Sequence, residues 1–202
     1  MLSHSVNWAS KVEKVARKMK TWIALLRGIN VGGNNILPMA KLRELLEKLG
    51  HKNVKTYIQS GNCVFQSSEH APSNIEEALS TFIEQEIGFR PQIIALTLDD
   101  FNDATSNIPF SYNHDTPKHV RLFFLAEPAT QPNLEKLDDL KAESEELFLT
   151  DKVCYLHAPE GIGRSKLAAG IEKCVGVPTT ARNLNSALKI ANLAKTIATE
   201  DQ

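Results

Sequence analysis

The feature that most constrains this chain is an order of hydrophobic patterns that occurs twice in its 202 residues. From Thr21 the apolar run TWIALLRGI has the length and composition of a buried strand. Pro38 opens the amphipathic stretch MAKLRELLEKLG, which stops at Gly50 as a helix would. VKTYIQ and CVFQ flank a turn at Ser60 and Gly61 and form a hairpin. Pro72 opens a second helix, with Ile75, Leu79, Phe82, Ile83 and Ile87 on one face, and the strand QIIALT follows it. The pattern predicts β-α-β-β-α-β, closed by a short capped helix over LDDFNDATSN.

The segment IPFSYNHDTPK, rich in turn formers, marks a connection, and then the pattern starts again. HVRLFFLA reads as a strand and NLEKLDDLKAE as a helix. ELFLT and VCYLHA make a hairpin around Asp151 and Lys152, SKLAAGIEKCVG a helix ending at Gly176, and VPTTA a short strand. NSALKIANLAKTIA closes this second unit as a helix. The expected fold class is therefore α+β, with two ferredoxin-like (β-α-β-β-α-β) units and antiparallel sheets. The expected divisions are an N-terminal extension over residues 1–19, a first lobe over 20–107 and a second over 108–202.

Charge narrows the partners. The 23 basic and 24 acidic residues nearly cancel, so no global field draws the chain to nucleic acid or an anionic membrane. A charged partner has to be recognised by a local cluster. Cys63, Cys154 and Cys174 are odd in number and sit in apolar contexts, as buried free thiols of a reducing compartment do, so the expected location is the cytoplasm. The six histidines form no HExxH motif and no CxxC occurs, so no metal site is expected. The longest apolar runs, such as VRLFFLA, are far short of the roughly 20 residues that span a bilayer. The first 20 residues carry Lys11, Lys14, Arg17, Lys18 and Lys20 against Glu13 alone, without the apolar core of a secretory signal.

Four segments gather polar or cationic residues at strand ends, the first three with glycine among them: RGINVGGNN (27–35), QSGN (59–62), GIGRSK (161–166) and ARNLNS (181–186). In a β-α-β-β-α-β path the first two strands run the same way, which makes Arg27, Asn30, Ser60 and Asn62 neighbours at one sheet end. By the same logic Arg164, Ser165, Lys166, Arg182, Asn183 and Asn185 gather at the opposite end of the second sheet. GIGRSK joins a strand to a helix start, where unpaired amides and the helix dipole favour an anion, and Arg164 and Lys166 add charge. It is neither a Walker A loop nor a dinucleotide fingerprint. Each segment also has a plainer explanation: Ser165 and either Asn183 or Asn185 as helix caps, Ser60-Gly61 as a hairpin turn, and Arg27 paired with an acidic neighbour.

With these motifs in view, the chain resembles the bacterial family known as domain of unknown function 1697, from about Met19 to near the end. LRGINVGG, the following Pro38-Met39, TYIQSGN, GIGRSK and ARN-x-N carry the resemblance. It implies two tandem or intertwined ferredoxin-like subdomains in a cytoplasmic bacterial protein, and it supplies no catalytic role to carry over to these residues. The family usually has Trp and Thr where this chain has Leu184 and Ser186.

If the two sheet ends face each other, Arg27, Arg164, Lys166 and Arg182 line one interlobe cleft with Asn30, Asn62, Asn183 and Asn185 as orienting amides. The expected partner is an anionic small molecule bearing phosphate or carboxylate, nucleotides included. No cofactor is named by any motif. The alternatives are an enzyme that uses Arg/Lys charge stabilisation on such a ligand, and an RNA-binding module on an open sheet face, which the missing paired aromatics and the slightly acidic balance disfavour.

Overall fold

The computed structural model describes residues 19–112 and 116–199. The extension expected before residue 19 lies outside them.

The first half contains β1 (Lys20–Leu26), α1 (Met39–Lys48), β2 (Lys52–Tyr57), β3 (Asn62–Ser67), α2 (Pro72–Ile87), β4 (Ile93–Thr97) and α3 (Leu98–Ser106). The second contains β5 (Val120–Leu125), α4 (Leu134–Leu140), β6 (Glu146–Leu149), β7 (Val153–His157), α5 (Lys166–Val175), β8 (Thr179–Asn183) and α6 (Leu184–Thr199). Each half builds one four-stranded sheet, in the orders β2-β3-β1-β4 and β6-β7-β5-β8. All pairings are antiparallel. This is the strand order of the ferredoxin-like plait, so the α+β class and the doubled unit stand as the sequence implied.

β1 and β5 are continuous apolar runs because each is packed on both faces. Trp22, Ala24 and Leu26 face α1 and α2, whose Leu42, Leu45, Leu46, Ile75, Leu79 and Ile83 are buried against them. Phe123 and Leu125 face α4 and α5 in the same way. The inner residues Ile23, Leu25, Leu122 and Phe124 belong to a shared third core, which also takes Phe101 and Ala104 of α3 and the apolar stripe of α6. The two closing helices thus form a common middle layer between the sheets. Phe101 stacks on Phe124 with ring centroids 5.3 Å apart, and Tyr155 Oη donates to Ala104 O at 3.1 Å. Gln66 Nε2 donates to Ile197 O at 3.4 Å, tying α6 to the first sheet although it follows the second in sequence.

That middle layer corrects one expectation. A sheet with one helical face leaves the other open, and the RNA-binding alternative relied on such a face. Here both inner faces are buried under α3 and α6.

Candidate functional site at the lobe junction

β8 runs two residues further than its apolar pattern indicates, and this extension places Arg182 inside the sheet, opposite Leu122. Side chains alternate along a strand, so Arg182 shares the inner face with Leu122 and points at the first lobe. It is 8% exposed. Each of its five N–H donors has an acceptor. Nε donates to Asn62 Oδ1. Nη1 donates to Thr180 Oγ1 at 2.9 Å and Ala181 O at 2.8 Å. Nη2 donates to Leu26 O at 2.9 Å and Ser60 O at 3.1 Å. All of these acceptors are neutral. Burial lowers the Arg182 pKa to about 10, which still leaves the group charged at neutral pH.

The partners of Arg182 are themselves braced. Asn62, fully buried, donates from Nδ2 to Tyr57 O at 3.0 Å and Ser60 Oγ at 2.9 Å. Leu26 N donates to Gly61 O at 2.8 Å. Gly61 has φ +71°, and a Cβ there would stand 2.6 Å from Leu26 Cβ and 2.8 Å from Ile29 Cδ1, so the turn admits only glycine. Asn30, also left-handed at φ 54°, donates to Leu37 O and Gln59 O, both at 2.9 Å, and accepts from Leu37 N at 2.8 Å. RGIN, QSGN and ARN therefore form one hydrogen-bonded knot between the sheets.

Beside the knot, Arg27 makes a two-pronged ion pair with Glu172 of α5. Nη1 lies 2.7 Å from Oε2 and Nη2 is 2.9 Å from Oε1. Glu172 also accepts from Thr179 N at 3.0 Å and Thr179 Oγ1 at 3.1 Å. Burial opposes ionisation of Glu172, but the Thr179 amide and Arg27 outweigh it and hold the carboxyl below its ordinary range. No local signal in the sequence marks Glu172 as the acid that Arg27 would choose. These residues line an interlobe cleft of about 430 Å³, with Gly28, Ser60, Thr180 and Arg182 among its walls.

The fourth segment goes elsewhere. After β7 the chain turns through Ile162–Arg164 onto the outer face of the second sheet, where Leu167 and Ile171 of α5 are buried. Ser165 Oγ caps that helix by accepting from Ala168 N at 2.9 Å. Arg164 and Lys166 are exposed and line a separate cleft of about 340 Å³ with Lys141, Ser144, Glu145 and Glu160. The single cleft expected for all four cations is thus two, with α5 contributing to both. Asn183 Oδ1 caps α6, accepting from Ser186 N at 2.8 Å, and Asn185 is exposed on the first turn of that helix. Neither lines either cleft. His157 is 3.1 Å from Glu146 and stacks on Phe110. Among the described residues, no group of three His, Cys, Asp or Glu side chains is placed to hold a metal, and no helix is long and apolar enough to cross a membrane.

The model of a family described as protein of unknown function (DUF1697) matches residues 19–155. The chain belongs to that family. The DUF1697 match takes in RGIN and QSGN and ends at residue 155, before GIGRSK and ARN. A solved structure described as the conserved bacterial protein SP0830 from Streptococcus pneumoniae is similar over more of the chain. It is 26% identical, covers 88% of this chain and 99% of its own, and superposes with a TM-score of 0.64. No curated protein matches the sequence.

Proposed function

We propose that this DUF1697 protein binds a small anion, bearing phosphate or carboxylate, in the interlobe cleft beside Arg27 and Arg182. The observation that carries this reading is the buried Arg182 guanidinium, whose donors all end on neutral oxygens. Neutral acceptors satisfy hydrogen bonds without cancelling charge, and a charge away from water gains most from a counter-charge nearby. The acid in the cleft, Glu172, is already engaged by Arg27 and Thr179. Two cations against one carboxylate leave the lining with a net positive charge.

Direct contacts to the ligand come from other groups, because Arg182 has no N–H to spare. Ser60 Oγ and Thr180 Oγ1 each accept a hydrogen bond, from Asn62 and Arg182, and each hydroxyl keeps a proton to donate. Arg27 stands at the rim. With Glu172 held ionised, the cleft is better suited to binding than to acid-base catalysis. Turnover of a bound ligand would instead favour the charge-stabilising enzyme. Three buried, unpaired thiols support a cytoplasmic setting.

A thermal-shift series with inorganic phosphate, pyrophosphate, citrate and nucleotides tests the proposal. A ligand at about 100 times its Kd adds roughly 2.7 kcal/mol to stability by mass action. At least one of these anions is expected to raise the melting temperature of the native chain, and the rise is expected to shrink in the double variant Arg27→Gln, Ser60→Ala. An equal rise in both proteins, or none with any anion, contradicts the site.

A further inference from the structure

A different groove, of about 480 Å³, runs between the lobes over an apolar floor that includes Ile94 and Leu96 of β4 and Leu125 of β5. Four carboxylates surround it, Glu76, Asp100, Glu127 and Asp151, against the single ammonium of Lys152. Lys152 is committed to Asp100 at 2.6 Å. Glu76 accepts the N–H of Ala95 at 2.8 Å, so a carboxylate stands on the free edge of β4 where a neighbouring strand's carbonyl would otherwise sit. Glu127 and Asp151 are exposed and have no ion-pair partner among the described residues. The groove is therefore apolar below and acidic around its rim.

The chain carries a complement to it. Residues 1–18 hold Lys11, Lys14, Arg17 and Lys18 against Glu13 alone, a surplus of three positive charges, with Trp8, Val12 and Val15 interspersed. The sheet register shows where this segment joins the fold. Trp22 pairs with Thr97, so the Lys20 end of β1 lies beside the Thr97 end of β4, and Asp100 follows in the first turn of α3. Adjacent strands are about 4.8 Å apart, whereas the stretch from Lys11 to Met19 can reach roughly 30 Å when extended. The basic residues are thus tethered within reach of the acidic rim.

We propose that residues 1–18 dock into this groove of their own chain, with their basic side chains toward Glu127 and Asp151 and their apolar ones over the Ile94–Leu96 floor. This contact would cover the β4 edge and strap the two lobes together at a place distinct from the anion cleft. It stands or falls independently of the ligand proposal. The attraction is between exposed groups, so salt weakens it.

Zero-length carbodiimide cross-linking of the full chain, read by peptide mass spectrometry, tests it. The Lys152–Asp100 pair serves as an internal control. Links from Lys11, Lys14 or Lys18 to Glu127 or Asp151 are expected, confined within single molecules when isotope-labelled and unlabelled protein are mixed. They should disappear in the double variant Glu127→Gln, Asp151→Asn, and at about 1 M salt, where the screening length is about 3 Å. Links that mix isotopes would overturn docking within one chain. So would lysine links to other carboxylates that persist in the double variant, or their absence while the control link forms.

Discussion

Arg182 donates its Nε–H to the side-chain oxygen of Asn62, a residue 120 positions earlier and in the other sheet. The same guanidinium reaches Leu26 O and Ser60 O, so one side chain ties β8 to the ends of β1 and the β2–β3 turn. Arg182→Met would strand these acceptors, at about 1–3 kcal/mol for each one left buried without a partner. With two or more neutral acceptors left unsatisfied, the expected loss of stability is about 3–5 kcal/mol. Arg182→Lys should recover little of it, since an ammonium has three donors and no planar fork. Arg164→Met, at an exposed cation whose side chain makes no hydrogen bond among the described residues, should stay within about 0.5 kcal/mol of the native protein. Urea unfolding midpoints decide the matter, and an Arg182→Met midpoint close to that of Arg164→Met would refute the clamp.

Gly61 gives a steric test of the same knot. Gly61→Ala forces a Cβ against Leu26 and Ile29 and keeps a residue with a side chain at positive φ. Left-handed backbone costs about 1–2 kcal/mol and overpacking about 1–3 kcal/mol. Gly50→Ala shares the positive φ but meets open space, so it should show the backbone cost alone. The difference in melting temperature between the two variants measures the packing at the turn.

The Arg27–Glu172 pair should show in the acid limb of stability. The folded pKa of Glu172 lies below its ordinary value of 4.5, so as pH falls the unfolded chain takes up the proton first. The carboxylate's contribution is complete above pH 4.5 and is lost as pH falls through the folded value. Both side chains are about two-fifths exposed, which keeps the effect under about 1 kcal/mol. Urea unfolding of the native protein and Glu172→Gln at about pH 7 and about pH 3 should show a gap that narrows in acid.

All three cysteines are buried and unpaired, and burial pushes the Cys63 and Cys154 thiols up to about 12. A thiolate is the reactive form. The native protein should resist a thiol reagent at about pH 8, and the denatured chain should be labelled at all three positions. Rapid native labelling at Cys63 would contradict its burial.

The doubled β-α-β-β-α-β order was legible because apolar runs, helix stops such as Gly50 and hairpin turns such as Asp151-Lys152 are local signals. The middle layer was less so. The stripe of α6 shows that the helix is buried but not that it lies between two sheets. Arg182 misled for a related reason: a charged residue after VPTTA resembles a strand end, and only its cross-lobe partners explain why the strand continues through it. RGIN and QSGN meet at one sheet end, as the strand directions implied, and ARN reaches them only because the two lobes pack with those ends together, which no strand direction fixes. GIGRSK does not join them, because the start of α5 must pack its Leu167 on the outer face while Arg182 faces inward.

The most direct test of the anion site is a ¹⁵N–¹H NMR titration of the full chain with pyrophosphate. Binding in the interlobe cleft predicts saturable shifts of the Gly28, Ser60 and Thr180 amides and of the Arg182 Nε–H, with the amides of Gly163, Lys166 and Leu167 unmoved. Shifts confined to residues 163–167 would place the anion at the start of α5 instead. That outcome, or no saturable shift at any of these groups, would contradict the account.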